Sequence, residues 1–180
     1  LIKTASNGVL VWSKCYSGGG RVVNAIQTSD GGCFLTGSQV PNSWDYVLCF
    51  KTDDAGDVIW STIYQFSVAD AGHSVKEIAG GYIIGGRSNA YQPAGSTKAL
   101  LMQLDLTGTV VWAKRYGTSS SAYYGAESIE TTNDFGFIFA GYRGDNACIV
   151  KTDSIGNSGC DELATSPLIH TTAKVASPLT

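Results

Sequence analysis

The sequence predicts an all-β protein built from repeated four-stranded antiparallel units. A short pattern recurs around Gly8, Gly56, Gly108 and Gly156, at spacings of 48, 52 and 48 residues. Periods near fifty are typical of propellers and other repeat architectures. The chain also contains 22 glycines among 180 residues, and only 15% of its residues are charged. This composition favours short strands joined by tight turns over helices.

The repeat divides the chain into units whose ends are out of phase. Full units are expected at 21–68 and 69–120, with a partial unit at 1–20 and a terminal unit at 121–162. The partial unit begins at the third strand, and the terminal unit ends after its third strand. We therefore expect a propeller-like or open stacked β-array that is incomplete at both ends. Closed propellers usually have about four to eight blades, and open sheet edges attract other strands.

The turn after the third strand carries an Asp in three copies, namely Asp53, Asp105 and Asp153. Its carboxylate is expected to accept backbone N–H groups, and the glycine three residues later supplies the positive φ that closes the turn. The acidic cluster of Asp53, Asp54 and Asp57 is an alternative calcium loop. A plain turn is favoured, because the other copies lack the extra carboxylates.

The fourth strand carries one tryptophan in each of three copies, at Trp12, Trp60 and Trp112. These rings are in phase with the strands, which predicts that they fill the space between sheets, each indole N–H needing one partner. An aromatic ladder that stacks on sugars is the alternative. In the last copy Cys160 stands where the tryptophan is expected, so the repeats are predicted to stop there.

The segment 163–180 contains Ser, Thr and Pro residues and is predicted to be a tail or linker. An O-glycosylated stalk and an arm that docks on another subunit remain open alternatives. The chain has five cysteines, so at least one cannot pair within the chain. No CxxC spacing occurs, which argues against a zinc site.

Candidate catalytic groups are few. His73 beside Ser74 suggests a hydrolase pair, but no third group is placed, and adjacent strand residues face opposite ways. Glu77, Glu127 and Glu130 could supply the two carboxylates of a glycoside hydrolase, although solvent-facing strand positions are favoured. We therefore expect no catalytic residue, no cofactor and no metal, and the protein is predicted not to be an enzyme.

Charge and hydropathy limit the classes of partner. The net charge of −3 gives no electrostatic footprint for nucleic acid. No apolar stretch approaches the roughly 20 residues of a membrane-spanning helix, so membrane insertion is not expected. The chain starts at Leu1 without a signal segment, which predicts a processed product or an excerpt of a longer protein.

Several of these motifs resemble a family of secreted bacterial and archaeal tandem-repeat proteins, whose units read K-T-D-x-x-G-x-x-x-W-x-K-x-Y-G-G. The residues that carry the resemblance are Lys51, Thr52, Asp53, Gly56, Trp60, Asp30, Gly31, Gly32, Gly37, Trp112, Lys114, Tyr116, Gly117, Ser128, Gly136 and Gly141. The resemblance implies a β-propeller fold and an extracellular or cell-surface location. Family members are mostly of unassigned function. A weaker similarity to quinoprotein dehydrogenases rests on the Gly-to-Trp segment alone.

The functional expectation is a non-enzymatic extracellular structural protein that self-assembles into a filament or protein fibril. The N-terminal strand pair would supply the strand that the terminal unit lacks, so the expected partner is another copy in head-to-tail order. An inter-subunit disulfide between Cys15 and Cys160 would lock the joint. The first alternative is an adhesive or carbohydrate-binding module that binds glycans through Trp44, Tyr91 and Tyr123. The second is a fragment of a quinoprotein-like propeller enzyme.

Overall fold

The computed structural model describes residues 1–41, 44–90, 96–117, 124–159 and 162–178. It confirms the all-β prediction, because these residues form sixteen strands and no helix. The strands are β1 (Ile2–Thr4), β2 (Leu10–Tyr16), β3 (Arg21–Gln27), β4 (Cys33–Gln39), β5 (Tyr46–Thr52), β6 (Val58–Gln65), β7 (Asp70–Ile78), β8 (Gly81–Ala90), β9 (Ser96–Asp105), β10 (Val110–Tyr116), β11 (Tyr124–Thr131), β12 (Phe137–Arg143), β13 (Asn146–Thr152), β14 (Glu162–Ala164), β15 (Leu168–Thr171) and β16 (Ala176–Pro178). Within the described part, no helix is long and apolar enough to cross a membrane.

The strands form four antiparallel sheets, none of which closes into a barrel. We call each sheet a blade and number the blades in chain order. The first blade has the order β1-β2-β16, the second β3-β4-β5-β6-β15, the third β7-β8-β9-β10-β14, and the fourth β11-β12-β13. Among the described residues, β1 and β13 each pair on one side only. The predicted open array, incomplete at both ends, is therefore observed.

The C-terminal segment forms strands where the sequence predicted a tail or linker. β14 adds to the outer edge of β10, β15 to that of β6, and β16 to that of β2. The segment therefore runs back across the array and gives each of three blades one more strand. Its side chains are mostly exposed. Main-chain pairing with an open edge orders it without an apolar core of its own.

The core lies between the blades. Three clusters of buried side chains fill the junctions between consecutive blades. The largest cluster joins Phe34, Val47 and Cys49 of the second blade to Tyr82 and Leu100 of the third. The central strand β5 is buried at every position, because blades cover both of its faces. Each blade therefore depends on its neighbours for a core.

The fourth strand of a repeat unit, which is β2, β6 or β10, carries a tryptophan and a tyrosine that dock on the next blade. In β6 the Trp60 indole N–H donates to the Leu106 carbonyl at 3.2 Å, and the Tyr64 hydroxyl donates to the Gly108 carbonyl at 2.6 Å. Gly108 has a φ of +85°, and a Cβ there would lie 3.0 Å from the Trp60 ring. The glycine is required both by its backbone angle and by the ring that covers it.

The same docking occurs at the two other junctions. The Tyr16 hydroxyl donates to the Gly56 carbonyl and the Tyr116 hydroxyl to the Gly156 carbonyl, at 3.0 and 2.7 Å. Trp12 and Trp112 cover these two glycines in the way that Trp60 covers Gly108. The Trp12 N–H donates to a carbonyl, whereas the buried Trp112 N–H has no hydrogen-bond partner among the described residues.

In the second blade and again in the fourth, a lysine of the third strand contacts an aspartate in the first turn of the same blade. The Lys51 ammonium lies 2.8 Å from the Asp30 carboxylate, and it also donates to the Thr52 carbonyl at 2.7 Å. The hydrogen bond from the Lys51 ammonium to the Asp30 carboxylate is the largest of the contacts that lower the pKa of Asp30 to about 2. Lys151 and Asp134 repeat the contact at 2.8 Å. The Lys and Asp of the repeat therefore join its third strand to its first turn.

Gly108→Ala is expected to destabilise the protein by about 1–3 kcal/mol more than Gly80→Ala. Both glycines lie in the third blade with φ values near +80°, so both substitutions carry the left-handed cost of about 1–2 kcal/mol. Only at Gly108 does the new methyl group meet the partly buried ring of Trp60, whereas nothing lies within 4 Å at Gly80. Urea unfolding measures the difference. Equal losses for the two variants would contradict the docking role of the Trp60 ring.

Candidate functional site

The first strands of the second, third and fourth blades are β3, β7 and β11, and we call them the inner strands. They share a β-bulge at one position. In β3, β7 and β11 the pairing register shifts across Val23, His73 and Glu127, each of which is the extra residue. The strand opposite supplies a glycine before each shift, at Gly37, Gly86 or Gly141. A Cβ on these glycines would lie within about 2 Å of a carbonyl oxygen of the inner strand. Bulges re-aim side chains and are common beside functional sites.

Two of the bulged residues contact each other across the junction between the third and fourth blades. The His73 Nδ1 lies 2.9 Å from the Glu127 Oε1. The His73 side chain is 12% exposed and that of Glu127 is 48% exposed. Burial lowers the pKa of His73 and outweighs the opposing effect of the Glu127 carboxylate. Arg87 and Arg21 lower the pKa of His73 further by charge repulsion.

The residue after the bulge links consecutive inner strands. The Asn24 Oδ1 accepts the Val75 N–H, and the Ser74 Oγ accepts the Ile129 N–H, both at 3.2 Å. The Ser74 hydroxyl oxygen is therefore engaged with the fourth blade. The His73 imidazole instead pairs with Glu127. The structure directs these two adjacent side chains to different partners and does not bring them together as a hydrolase pair.

The other two glutamates of the inner strands also join blades. Glu77 accepts the Ser29 N–H and hydroxyl, each at 2.7 Å. Glu130 lies 2.6 Å from the Lys76 ammonium. Each candidate carboxylate thus holds a side chain, strand or turn of a neighbouring blade.

A polar cavity of about 380 Å³ lies between the second and third blades. Arg21 at the start of β3 and Arg87 in β8 line it, together with Asp45 and Ser38. Neither arginine has a carboxylate within 4.0 Å in the described part of the chain. The buried Nε of Arg87 has no hydrogen-bond partner there either. Two cationic side chains therefore face one cavity without an ion-pair partner.

The three repeated aspartates lie in the turns for which they were predicted. Each Oδ1 accepts the backbone N–H of the residue four positions later. The residues concerned are Asp53, Asp105 and Asp153. In the acidic cluster Asp57 pairs with Lys14 at 2.7 Å. No group of three or more His, Cys, Asp or Glu residues that could hold a metal ion was found among the described residues.

The remaining predicted residues are scattered over the array. Nothing lies within 4 Å of a Cβ built at Gly8, the one repeat glycine that no tryptophan covers. Cys15 is an exposed thiol, and the Trp44 side chain is half exposed. The predictions for Cys160, Tyr91 and Tyr123 lie outside the described residues.

Sequence reasoning missed the His73–Glu127 contact and the two arginines of the cavity. One signal was present: His73 and Glu127 both stand thirteen or fourteen residues before a repeat glycine, Gly86 or Gly141. Superposing the repeats on these glycines, with a gap of one residue in the turn between the two strands, places both residues at one position of adjacent units. The arginines carry no such signal, because Arg21 and Arg87 occupy different strands of their units.

The pKa of His73 is expected to move in opposite directions in two variants. Glu127→Gln removes a charge that raises the pKa and should lower it further, whereas Arg87→Gln removes a charge that lowers it and should raise it. An NMR titration of the imidazole, assigned with His170→Asn, measures both shifts. Shifts in the same direction would contradict this electrostatic arrangement.

The same group makes stability depend on pH. Because the folded pKa of His73 lies below the ordinary value of 6.5, the unfolded chain takes up the proton first. The contribution of His73 to the free energy of unfolding is therefore complete above pH 6.5. It is lost as the pH falls from 6.5 towards the lower folded pKa, and His73→Asn should flatten this part of the stability profile.

Comparison with protein-family models finds no family that matches the chain. Comparison with curated proteins finds no match. The features that bear on function are the edge of β13 in the fourth blade, the bulged inner strands and the cavity beside them.

Proposed function

We propose that this chain is a non-enzymatic structural protein that assembles through strand exchange between copies. In the proposed joint, β13 of one copy accepts β2 of a second copy as the fourth strand of its blade. The observation that carries the proposal is the edge of β13, which pairs with β12 and with no other described strand. The next strand along the chain, β14, pairs with β10 of the third blade, so it leaves this edge of β13 open.

The edge of β13 is bordered by an apolar slot of about 200 Å³. Tyr116, Phe139, Cys148 and Val150 line it. In the second blade the corresponding place beside β5 is taken by Ile63 of the fourth strand, β6. The Ile63 side chain is buried in the cluster between the first and second blades. A strand added to β13 would fill the slot with one side chain and pair the free main-chain groups. Burial of the slot and main-chain pairing would both favour the joint.

The donor strand β2 has the features of a fourth strand. It carries Trp12 and Tyr16 on the face that docks on the second blade. Its other face exposes Val11 and Cys15. Ile63, the residue of the second blade that matches Cys15, is instead buried. The strand that β13 would replace is β1, which has three residues and an irregular register with β2. The seven-residue β13 offers a longer partner.

The repeat register specifies which residues would meet. In the second blade Leu48 lies opposite Ile63, and Leu48 also lies opposite Gly37. The fourth blade has Cys148 opposite the equivalent glycine, and Cys15 precedes Tyr16 as Ile63 precedes Tyr64. A second copy of β2 in this register would therefore place Cys15 opposite Cys148. Directly opposed residues lie within disulfide distance in antiparallel strands.

Two further statements belong to the proposal. An extracellular or cell-surface location, which the resemblance implies, would allow a disulfide to persist at the joint. The bond between Cys15 and Cys160 predicted from the sequence is the competing form of the same cross-link. Two copies that exchange strands reciprocally would bring six blades together, whereas one-way exchange would propagate as a filament.

Non-reducing electrophoresis after mild oxidation is the test of the joint. We expect bands at multiples of the monomer mass, which should disappear in Cys15→Ser and in Cys148→Ser. Cys33→Ser is the matched control, because Cys33 lies on β4, which pairs with neither β2 nor β13, and its substitution should leave the bands unchanged. Loss of the bands in Cys15→Ser and Cys160→Ser, but not in Cys148→Ser, would replace Cys148 by Cys160 as the partner.

Light scattering under reducing conditions tests assembly without the cross-link. A mass of two copies would indicate a closed pair, and larger masses with filaments under electron microscopy would indicate the open form. A monomer at every concentration, both reduced and oxidised, would overturn the proposed function.

A further inference from the structure

The cavity between the second and third blades has the chemistry of a ligand site. It lies at the end of the inner strands, between the start of β3 and the middle of β8. Its volume of about 380 Å³ is within the range of small-molecule sites. It is distinct from the edge of β13, because β13 belongs to the fourth blade. Any function of this cavity is therefore independent of the proposed assembly.

One wall of the cavity is cationic. Arg21 and Arg87 come from neighbouring blades, and both charges reach the region of His73, where they oppose protonation of the imidazole. In the described part of the chain neither guanidinium has an ion-pair partner, and the Arg87 Nε is buried without a hydrogen bond. An unsatisfied buried donor is costly, and guanidinium groups match planar oxyanions in charge and geometry. A bound carboxylate would satisfy these groups.

The cavity also offers hydrogen-bond acceptors beside the arginines. Asp45 and Ser38 line the same cavity, and Asp45 forms no ion pair with either arginine. A carboxylate in this position suits a ligand that donates hydroxyl groups. The cavity therefore presents cations and hydroxyl acceptors near one another.

The overall charge narrows the class of ligand. The chain has a net charge of −3, so a long polyanion would be repelled at a distance. A ligand with one acid group and several hydroxyl groups meets both conditions. We propose that the cavity binds an acidic sugar of the uronic acid class. Its carboxylate would lie on Arg21 and Arg87, and its hydroxyl groups would lie on Asp45 and Ser38.

Isothermal titration calorimetry with sodium glucuronate tests this site in the intact chain. We expect saturable binding at concentrations up to about 10 mM. Glucose lacks the acid group and acetate lacks the hydroxyl groups. Each should bind with an affinity at least about tenfold lower than that of glucuronate. No heat of binding for glucuronate, or acetate binding as tightly as glucuronate, would overturn the acidic-sugar assignment.

Variants locate the site. Arg87→Gln, Arg21→Gln and Asp45→Asn should each weaken glucuronate binding about tenfold or more. Arg143→Gln is the matched control, since Arg143 lies in the fourth blade against Tyr124 and should bind like the parent chain. Arg21 is exposed, so its substitution should fold even where that of Arg87 does not. Unchanged affinity in Arg21→Gln and Asp45→Asn would place the binding elsewhere and overturn the proposal.

Discussion

The docking of an aromatic pair on the glycine turn of the next blade is the contact on which the rest of the array depends. The tryptophan ring rests on a residue without a side chain, and the tyrosine hydroxyl binds the carbonyl of that residue. Together they set the distance at which consecutive sheets pack. The buried clusters between blades fill the space that this contact defines. A single unit buries neither of its faces alone, as is typical of repeat proteins.

The residues of this contact could be predicted from the sequence, but their partners could not. Gly56 and Trp60 are neighbours in the repeat, which suggests that they act together. In the structure Gly56 instead receives Trp12, from the blade before. Periodicity identifies positions that share a role, and it does not tell whether the contact lies within a unit or between units.

Another contact was readable from the departures between copies. The Lys51–Asp30 pair recurs as Lys151 and Asp134. In the third blade Gln103 stands in place of the lysine, and the corresponding turn contains Ala79 and no aspartate. The two charges are lost together, because either one alone would be left without its partner. Joint loss in one copy thus indicates a contact, even within a single sequence. The His73–Glu127 pair gives no such sign, since the two residues occupy one equivalent position and differ in chemistry.

The path of the C-terminal segment links parts of the chain that are remote in sequence. Its strands meet the blades in reverse order, from the third to the first, and β16 ends beside β2. Both ends of the described chain therefore lie on one blade, and the segment runs along the outer edges of the first three blades. Shortening the chain progressively from this end would uncover the outer edges of β2, β6 and β10 in that order. The first blade, which has the fewest strands from its own unit, would be the first to lose its cover.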